Sequence, residues 1–212
     1  AAYSEQGQAG NTKSWESAEY LKDWGLTSMN ASTAYALGFN GSGVKIGVMD
    51  SGVLLNHPEF QDGRIHVVKT EGTYSKDGMR YPDASVGNGP INKNEPVKNG
   101  KRNFDKTDNG IFTKGEAFNI DGAWHKYTND AHGTHVGGTM AASRDGNEMH
   151  GVAFGANLYS ANTGGNDNMT YGPNQDYDFF LQGYSALADA GAKVINNSWG
   201  SNRRVNSSFA GA

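Results

Sequence analysis

The chain has 212 residues, 18 basic and 22 acidic side chains for a net charge of −4, and 30 glycines, a length that suits one full core or part of a larger one. It has no cysteine, which excludes a disulfide framework and a thiolate nucleophile. Its charges form no basic stripe for nucleic acid and no polybasic or amphipathic segment for a membrane surface, and nowhere do about 18 apolar residues run together to span a bilayer.

The opening AAYSEQGQAG has neither the charged nor the apolar region of a secretion signal, so any such signal is expected to be already removed. Abundant Gly and Asn with few Lys and Glu suit a loop-rich secreted protein better than a cytosolic one. SWESAEYLKDWG and SMNASTAYALGFNG predict two short helical pieces, the second stopping at Gly38. VKIGVMD, residues 44–50, is short, β-branched and apolar on both faces, which predicts a buried parallel strand ending at Asp50. Residues 61–131 are rich in Gly, Asn, Lys and Pro without helical period, and predict an inserted surface excursion with small strands.

HGTHVGGTMAAS then predicts a helix packed tightly on a sheet, with Gly137 and Gly138 allowing close approach. ANLYSANT, residues 156–163, predicts a strand. NQDYDFFLQGYSALADAG carries Phe179, Phe180, Tyr184, Leu187 and Ala188 at helical spacing and stops at Gly191. AKVINNSWG, residues 192–200, predicts another strand. The order β, α, β, α, β implies an α/β fold, a parallel twisted sheet with right-handed crossovers and helices on its faces. Chemistry in such folds collects at the carboxyl ends of strands, where Asp50 and NNSWG stand.

A carboxylate at the end of a buried strand is costly unless partnered. In GVMDSG, Ser51 and Gly52 offer backbone donors, so Asp50 either caps the following turn or serves a site. His132 falls at the start of its helix, where the positive end of the dipole disfavours imidazolium. Held there by a carboxylate, the ring stays neutral and can act as a general base. His135, one turn on, is expected to face the core as a satisfied structural histidine. A metal pair built from His132 and His135 is the weaker alternative, because the glutamate and the i, i+4 spacing of zinc-protease helices are absent.

Taken in order, VKIGVMDSGVLLNHPEF, DAHGTHVGGTMAAS, GVAFGANLYSANT and AKVINNSWGS resemble four consecutive blocks of the subtilisin-like serine proteases (subtilases), over most of residues 40–60 and 130–200. The resemblance implies their three-layer architecture, incomplete at the C-terminal end, with residues 1–212 forming the N-terminal part of one catalytic domain. It implies a secreted or cell-surface serine endopeptidase. In that reading Asp50 orients the imidazole and His132 is the general base. Ser198, Trp199 and Gly200 would pair with the substrate backbone and wall the main specificity pocket, with Gly164 and Gly165 on the opposite side. His57 matches a position near the aspartate and has a structural reading. No cofactor is needed for the chemistry. A structural calcium in SRDGNEMHG is implied, with Asp145 and Glu59 as oxygen ligands, against the preferred reading of a solvated turn, because a full set of six or more oxygens is not traceable.

Three departures stand beside the resemblance. The family's Gly-Thr-Ser nucleophile motif is absent; Thr27-Ser28-Met29 in GLTSMNAS precedes the aspartate, lacks the glycine and reads as a helix start. The serine and the oxyanion asparagine are therefore expected beyond this chain, and the remaining C-terminal part of the protease is an expected partner besides the peptide substrate. The Asp-to-His interval of 82 residues is far longer than in compact subtilisins. Together with the N-terminal segment and RDGNEMHGVAFGANL, it resembles the passenger proteases of Gram-negative autotransporters. The alternative function is a catalytically inactive remnant that binds peptides or partners.

Overall fold

The computed structural model describes residues 7–79, 97–98, 101–102, 111–124, 131–163 and 177–199. After a 3₁₀ turn at Thr12–Trp15 come three short helices, α1 (Ala18–Lys22), α2 (Trp24–Ser28) and α3 (Ala31–Ala36). The first predicted helical piece is thus two. Asp23 ends α1 and its carboxylate accepts the Gly25 N–H at 2.7 Å, which restarts the helix as α2. Gly38 follows α3 with φ +91°, a left-handed stop where expected. The three helices close a small core of Tyr20, Leu26, Ala31 and Tyr35 against Val152 and Phe154.

The main sheet begins with β1 (Lys45–Asp50). Downstream lie β2 (Ile65–Val67), β9 (Asn157–Asn162) and β10 (Ile195–Asn196), all parallel, in the spatial order β10-β1-β9-β2. The connecting helices are α4 (His132–Ala141) and α5 (Tyr177–Asp189). Strand alternation sends side chains to opposite faces. Val48 and Leu158 meet Val53, Phe60, Ala141 and Ala142 on the α4 side, while Met49 and Ala161 meet Phe118, Phe180 and Leu187 on the α5 side. Each of the buried Val, Leu, Met and Phe side chains among them stabilises the fold by about 1.5–3 kcal/mol. The result is the α/β three-layer arrangement, a parallel sheet between helices. No helix among the described residues is long and apolar enough to cross a membrane.

Three sequence expectations are revised here. Residues 61–131 are not wholly a surface excursion, since β2 pairs with β9 in the main sheet. β3 (Lys69–Thr73) and β8 (Ala117–Asp121) form an antiparallel pair, and Tyr74 and Phe118 reach the α5-side core. Three apolar-alternating residues between charged neighbours are too few for a period to show. The Arg64 guanidinium anchors this region, donating to the Ala141 and Ala156 carbonyls at 2.9 and 2.8 Å. Two further two-residue ladders join β4 (Gly78–Met79) to β7 (Ile111–Phe112) and β5 (Val97–Lys98) to β6 (Lys101–Arg102). Second, Ala188 is exposed on α5, whose buried face runs through Phe180, Gly183 and Leu187; the side chain of Phe179 lies outside the described residues. Third, of the strand expected over 192–200, the described residues form a strand at Ile195 and Asn196, with Lys193 and Val194 also hydrogen-bonded to β1 through their backbone.

Candidate active site

Asp50 is the last residue of β1 and is 3% exposed. Its carboxylate is partnered on both sides: the Ser51 N–H donates to Oδ1 at 2.7 Å, and the His132 Nδ1 stands 2.9 Å from Oδ1 and 3.1 Å from Oδ2. Those contacts answer the desolvation cost of the buried acid. The His132 side chain is 48% exposed, so the pair joins a buried acid to a ring at the surface. A carboxylate against Nδ1 assigns the Nδ1–H tautomer and puts the basic lone pair on Nε2, the arrangement a general base requires.

The elements carrying the pair touch through backbone. An added Cβ on Gly133 would lie 2.4 Å from the Gly52 carbonyl oxygen, and Gly52 itself has φ +97° beside the Ala123 carbonyl. Both positions therefore require glycine. The N-cap of α4 is Ala131, which has no capping side chain, and the Gly133 N–H donates instead to Ser51 Oγ at 2.9 Å. Ser51 thus caps the helix from the neighbouring turn. The Leu54 N–H donates to Thr134 Oγ1 at 3.0 Å, and the Thr163 N–H to the Asp50 carbonyl at 2.8 Å. Thr134 and the hydroxyl of Ser51 were not singled out in the sequence, where Ser51 was read only as a backbone donor beside Asp50.

Other expected residues divide. Trp199 lies beside β1, its indole N–H donating to the Met49 carbonyl at 2.8 Å and its ring 5.6 Å from Phe180. Ser198 is exposed, and its Oγ accepts from Asn196 Nδ2 at 2.8 Å. Gly164, Gly165 and Gly200 lie outside the described residues. His57 is structural in this geometry, its Nδ1 accepting the Glu59 N–H at 3.2 Å. Ser28 closes α2 rather than starting a helix.

His135 corrects its expectation. The buried face of α4 runs through Gly133, Gly137 and Ala141, and His135 lies on the opposite side, exposed. It lines a cleft of about 640 Å³ with Leu54, Pro58 and Trp124. Gly137 does meet Val53 and Leu158 at close range, whereas Gly138 has open space where a Cβ would stand.

The acidic groups near the loop after α4 do not fit a ready-made calcium site. Asp145 Oδ1 accepts the Asn147 N–H, and the buried Glu19 carboxylate accepts the N–H groups of Asp145 and Gly146 at 3.2 and 2.9 Å. The loop turns donors inward where a cation needs oxygens. Among the described residues no group of three or more His, Cys, Asp or Glu side chains is placed to hold an ion. Glu59 is buried with Oε2 lacking a hydrogen bond, and its carboxyl is pushed up to about 7, first by burial and then by the charges of Asp145, Glu19 and Glu148.

The subtilase family model matches residues 41–211. An extracellular serine protease of Serratia marcescens is 35% identical over 204 residues, covering 94% of this chain and 14% of that protein. Bacillopeptidase F of Bacillus subtilis is 31% identical over 189 residues, covering 84% of this chain and 10% of its own length. Fervidolysin of Fervidobacterium pennivorans is 40% identical over 77 residues, covering 33% and 10%. The chain therefore spans 14% or less of the length of these relatives.

Proposed function

The chain belongs to the subtilase family, and on that premise we propose that it supplies the acid–base half of a serine endopeptidase. The observation that carries the reading is the 2.9 Å contact between the buried Asp50 carboxylate and Nδ1 of a half-exposed His132. The nucleophilic serine and the oxyanion asparagine belong to the rest of the longer protein, a reading supported by how little of each relative this chain spans.

In this mechanism His132 Nε2 takes the hydroxyl proton as serine oxygen bonds to the scissile carbonyl carbon. The imidazolium, steadied by Asp50, then gives that proton to the departing amine as the C–N bond breaks, which leaves an acyl-enzyme. Water repeats the cycle: His132 takes a proton from it as its oxygen bonds to the acyl carbon, then the ester bond to serine breaks and the proton returns to the departing serine oxygen. The substrate is a peptide or protein, bound in extended form by Ser198 and Trp199, with Gly164, Gly165 and Gly200 assigned to the same role by the family resemblance; this segment binds no nucleic acid and makes no membrane contact. The protein is secreted, in the manner of an autotransporter passenger. Support for secretion is that two Serratia marcescens relatives are named extracellular serine proteases.

The test is H132A in the full-length protein, assayed on a chromogenic peptide. Turnover is expected to fall by several orders of magnitude with peptide affinity nearly unchanged. Equal turnover removes His132 from the mechanism. A wild-type protein that binds the peptide and never cleaves it is the inactive remnant instead.

A further inference from the structure

The Asp50 turn and the first turn of α4 are joined by two hydrogen bonds running in opposite directions. The helix donates to the turn from the Gly133 N–H to Ser51 Oγ, at 2.9 Å, and the turn donates to the helix from the Leu54 N–H to Thr134 Oγ1, at 3.0 Å. They lie on either side of the glycine contact between residues 52 and 133. One bond would leave the helix able to pivot about it; two, three residues apart on the turn and on adjacent residues of the helix, set both distance and rotation. Ser51 is also bonded to the Asp50 carboxylate through its own N–H. Thr134 touches neither Asp50 nor the imidazole in any contact described above, and its effect passes through the two backbone segments.

We propose that Thr134 is a positioning residue of the peptidase: its hydroxyl oxygen, by holding the Leu54 N–H, fixes the helix turn that presents His132 to Asp50. The assignment rests on the protease reading above. A buried-edge threonine of this kind could be a helix residue with a satisfied side chain and no more. Its place is what argues otherwise, since its oxygen accepts from the chain four residues after the aspartate and not from its own helix.

T134V keeps the shape and removes the acceptor, and T134S restores it. In the full-length protease, kcat per active site, counted by titration with a fluorophosphonate, is expected to fall about 10- to 100-fold in T134V. KM should stay within about twofold, and T134S should recover most of the rate. The low-field proton resonance of the His132 Nδ1–H is expected to be sharp in the wild type, to broaden in T134V and to sharpen again in T134S. Wild-type kcat in T134V, or T134S as slow as T134V, overturns the assignment. Unfolded molecules do not enter a rate counted per titrated site. If T134V yields no titratable sites, the resonance decides, and an unchanged sharp line overturns the proposal. H132A separates the two readings: if it cleaves like the wild type the acid–base role of His132 fails, and if it is inactive while T134V is not slowed, only Thr134 is wrong.

Discussion

Nδ1 of His132 stands 2.9 Å from Oδ1 of Asp50 across 82 residues of chain, one partner buried and the other half in water. The carboxylate can accept only, so the ring must donate from Nδ1. D50N changes that with little change of shape, because the amide nitrogen can face the ring and stabilise the opposite tautomer. In the full-length protease kcat is expected to drop about 10⁴-fold. Steady-state kinetics on a peptide substrate checks this, and a loss under tenfold would mean that the carboxylate does not set the tautomer.

Gly133 meets the Gly52 carbonyl so closely that a methyl group has nowhere to go; the added carbon would lie 2.4 Å from that oxygen, which is backbone and cannot swing aside. G133A should therefore push α4 off the Asp50 turn. The expected cost is about 1–3 kcal/mol of stability, accompanied by a loss of turnover larger than the loss of folded protein. Denaturant unfolding together with kcat per active site measures both, and a stable, fully active G133A would show that the two turns can separate without harm.

Much of this was legible in the chain, for identifiable reasons. β1 was visible because four residues of it, Ile46 to Met49, are apolar or small and end abruptly on Asp50. The Asp50–His132 pairing was legible through the resemblance of the VKIGVMDSG and DAHGTHVGGT blocks to subtilases; the strand end alone left Asp50 as a turn cap or a site residue. Less visible was what depends on contacts from distant segments. β2 is three residues long, and its membership in the sheet is decided by β9, some ninety residues on. The face of α4 was misjudged at His135 because glycines supply the buried stripe, and small residues carry little hydrophobic signal. Thr134 and the hydroxyl of Ser51 were silent because a hydroxyl that accepts a backbone N–H from another element leaves no pattern of its own.

Because His135 faces outward, H135A is expected to change stability by no more than about 0.5 kcal/mol. Peptide turnover should be unaltered too, as the ring lies on the side of α4 away from Gly133 and Gly137. A thermal melt and a peptide assay test both. A melt displaced by many degrees would restore the structural role first expected of this histidine.

Glu59 makes stability depend on pH with a definite sign. Its folded carboxyl is raised to about 7 from an ordinary 4.5, by burial and by Asp145, Glu19 and Glu148. The folded state therefore binds this proton more tightly than the unfolded chain does. Its contribution is fully present below pH 4.5 and is lost as pH rises through about 7. Buried His150 runs the other way, its ring lowered by burial, so the effect is read as the difference between wild type and E59Q. E59Q should gain on the wild type as pH climbs through that window, by a few degrees in Tm on the order expected for a domain of this size. Millimolar calcium should leave the difference unchanged; a calcium-induced rise in Tm abolished by E59Q would show that Glu59 and its neighbours do hold an ion.

Trp199 completes a bond that the sheet cannot. Pairing between β1 and β10 ends at Val48 and Asn196, so the Met49 carbonyl lies one residue past the ladder and takes the indole N–H at 2.8 Å. W199F keeps an aromatic ring against Phe180 and removes that donor. The buried carbonyl then lacks its partner, at about 1 kcal/mol, and the segment from Asn197 to Trp199 is no longer pinned beside the aspartate strand. If that segment receives the extended peptide, KM should rise several-fold while kcat changes little, since His132 and Asp50 are untouched. Peptides of increasing length on the acyl side should show the difference most, because they lean hardest on strand pairing. A W199F enzyme with wild-type KM across that series would show that Trp199 braces the sheet end and takes no part in holding substrate.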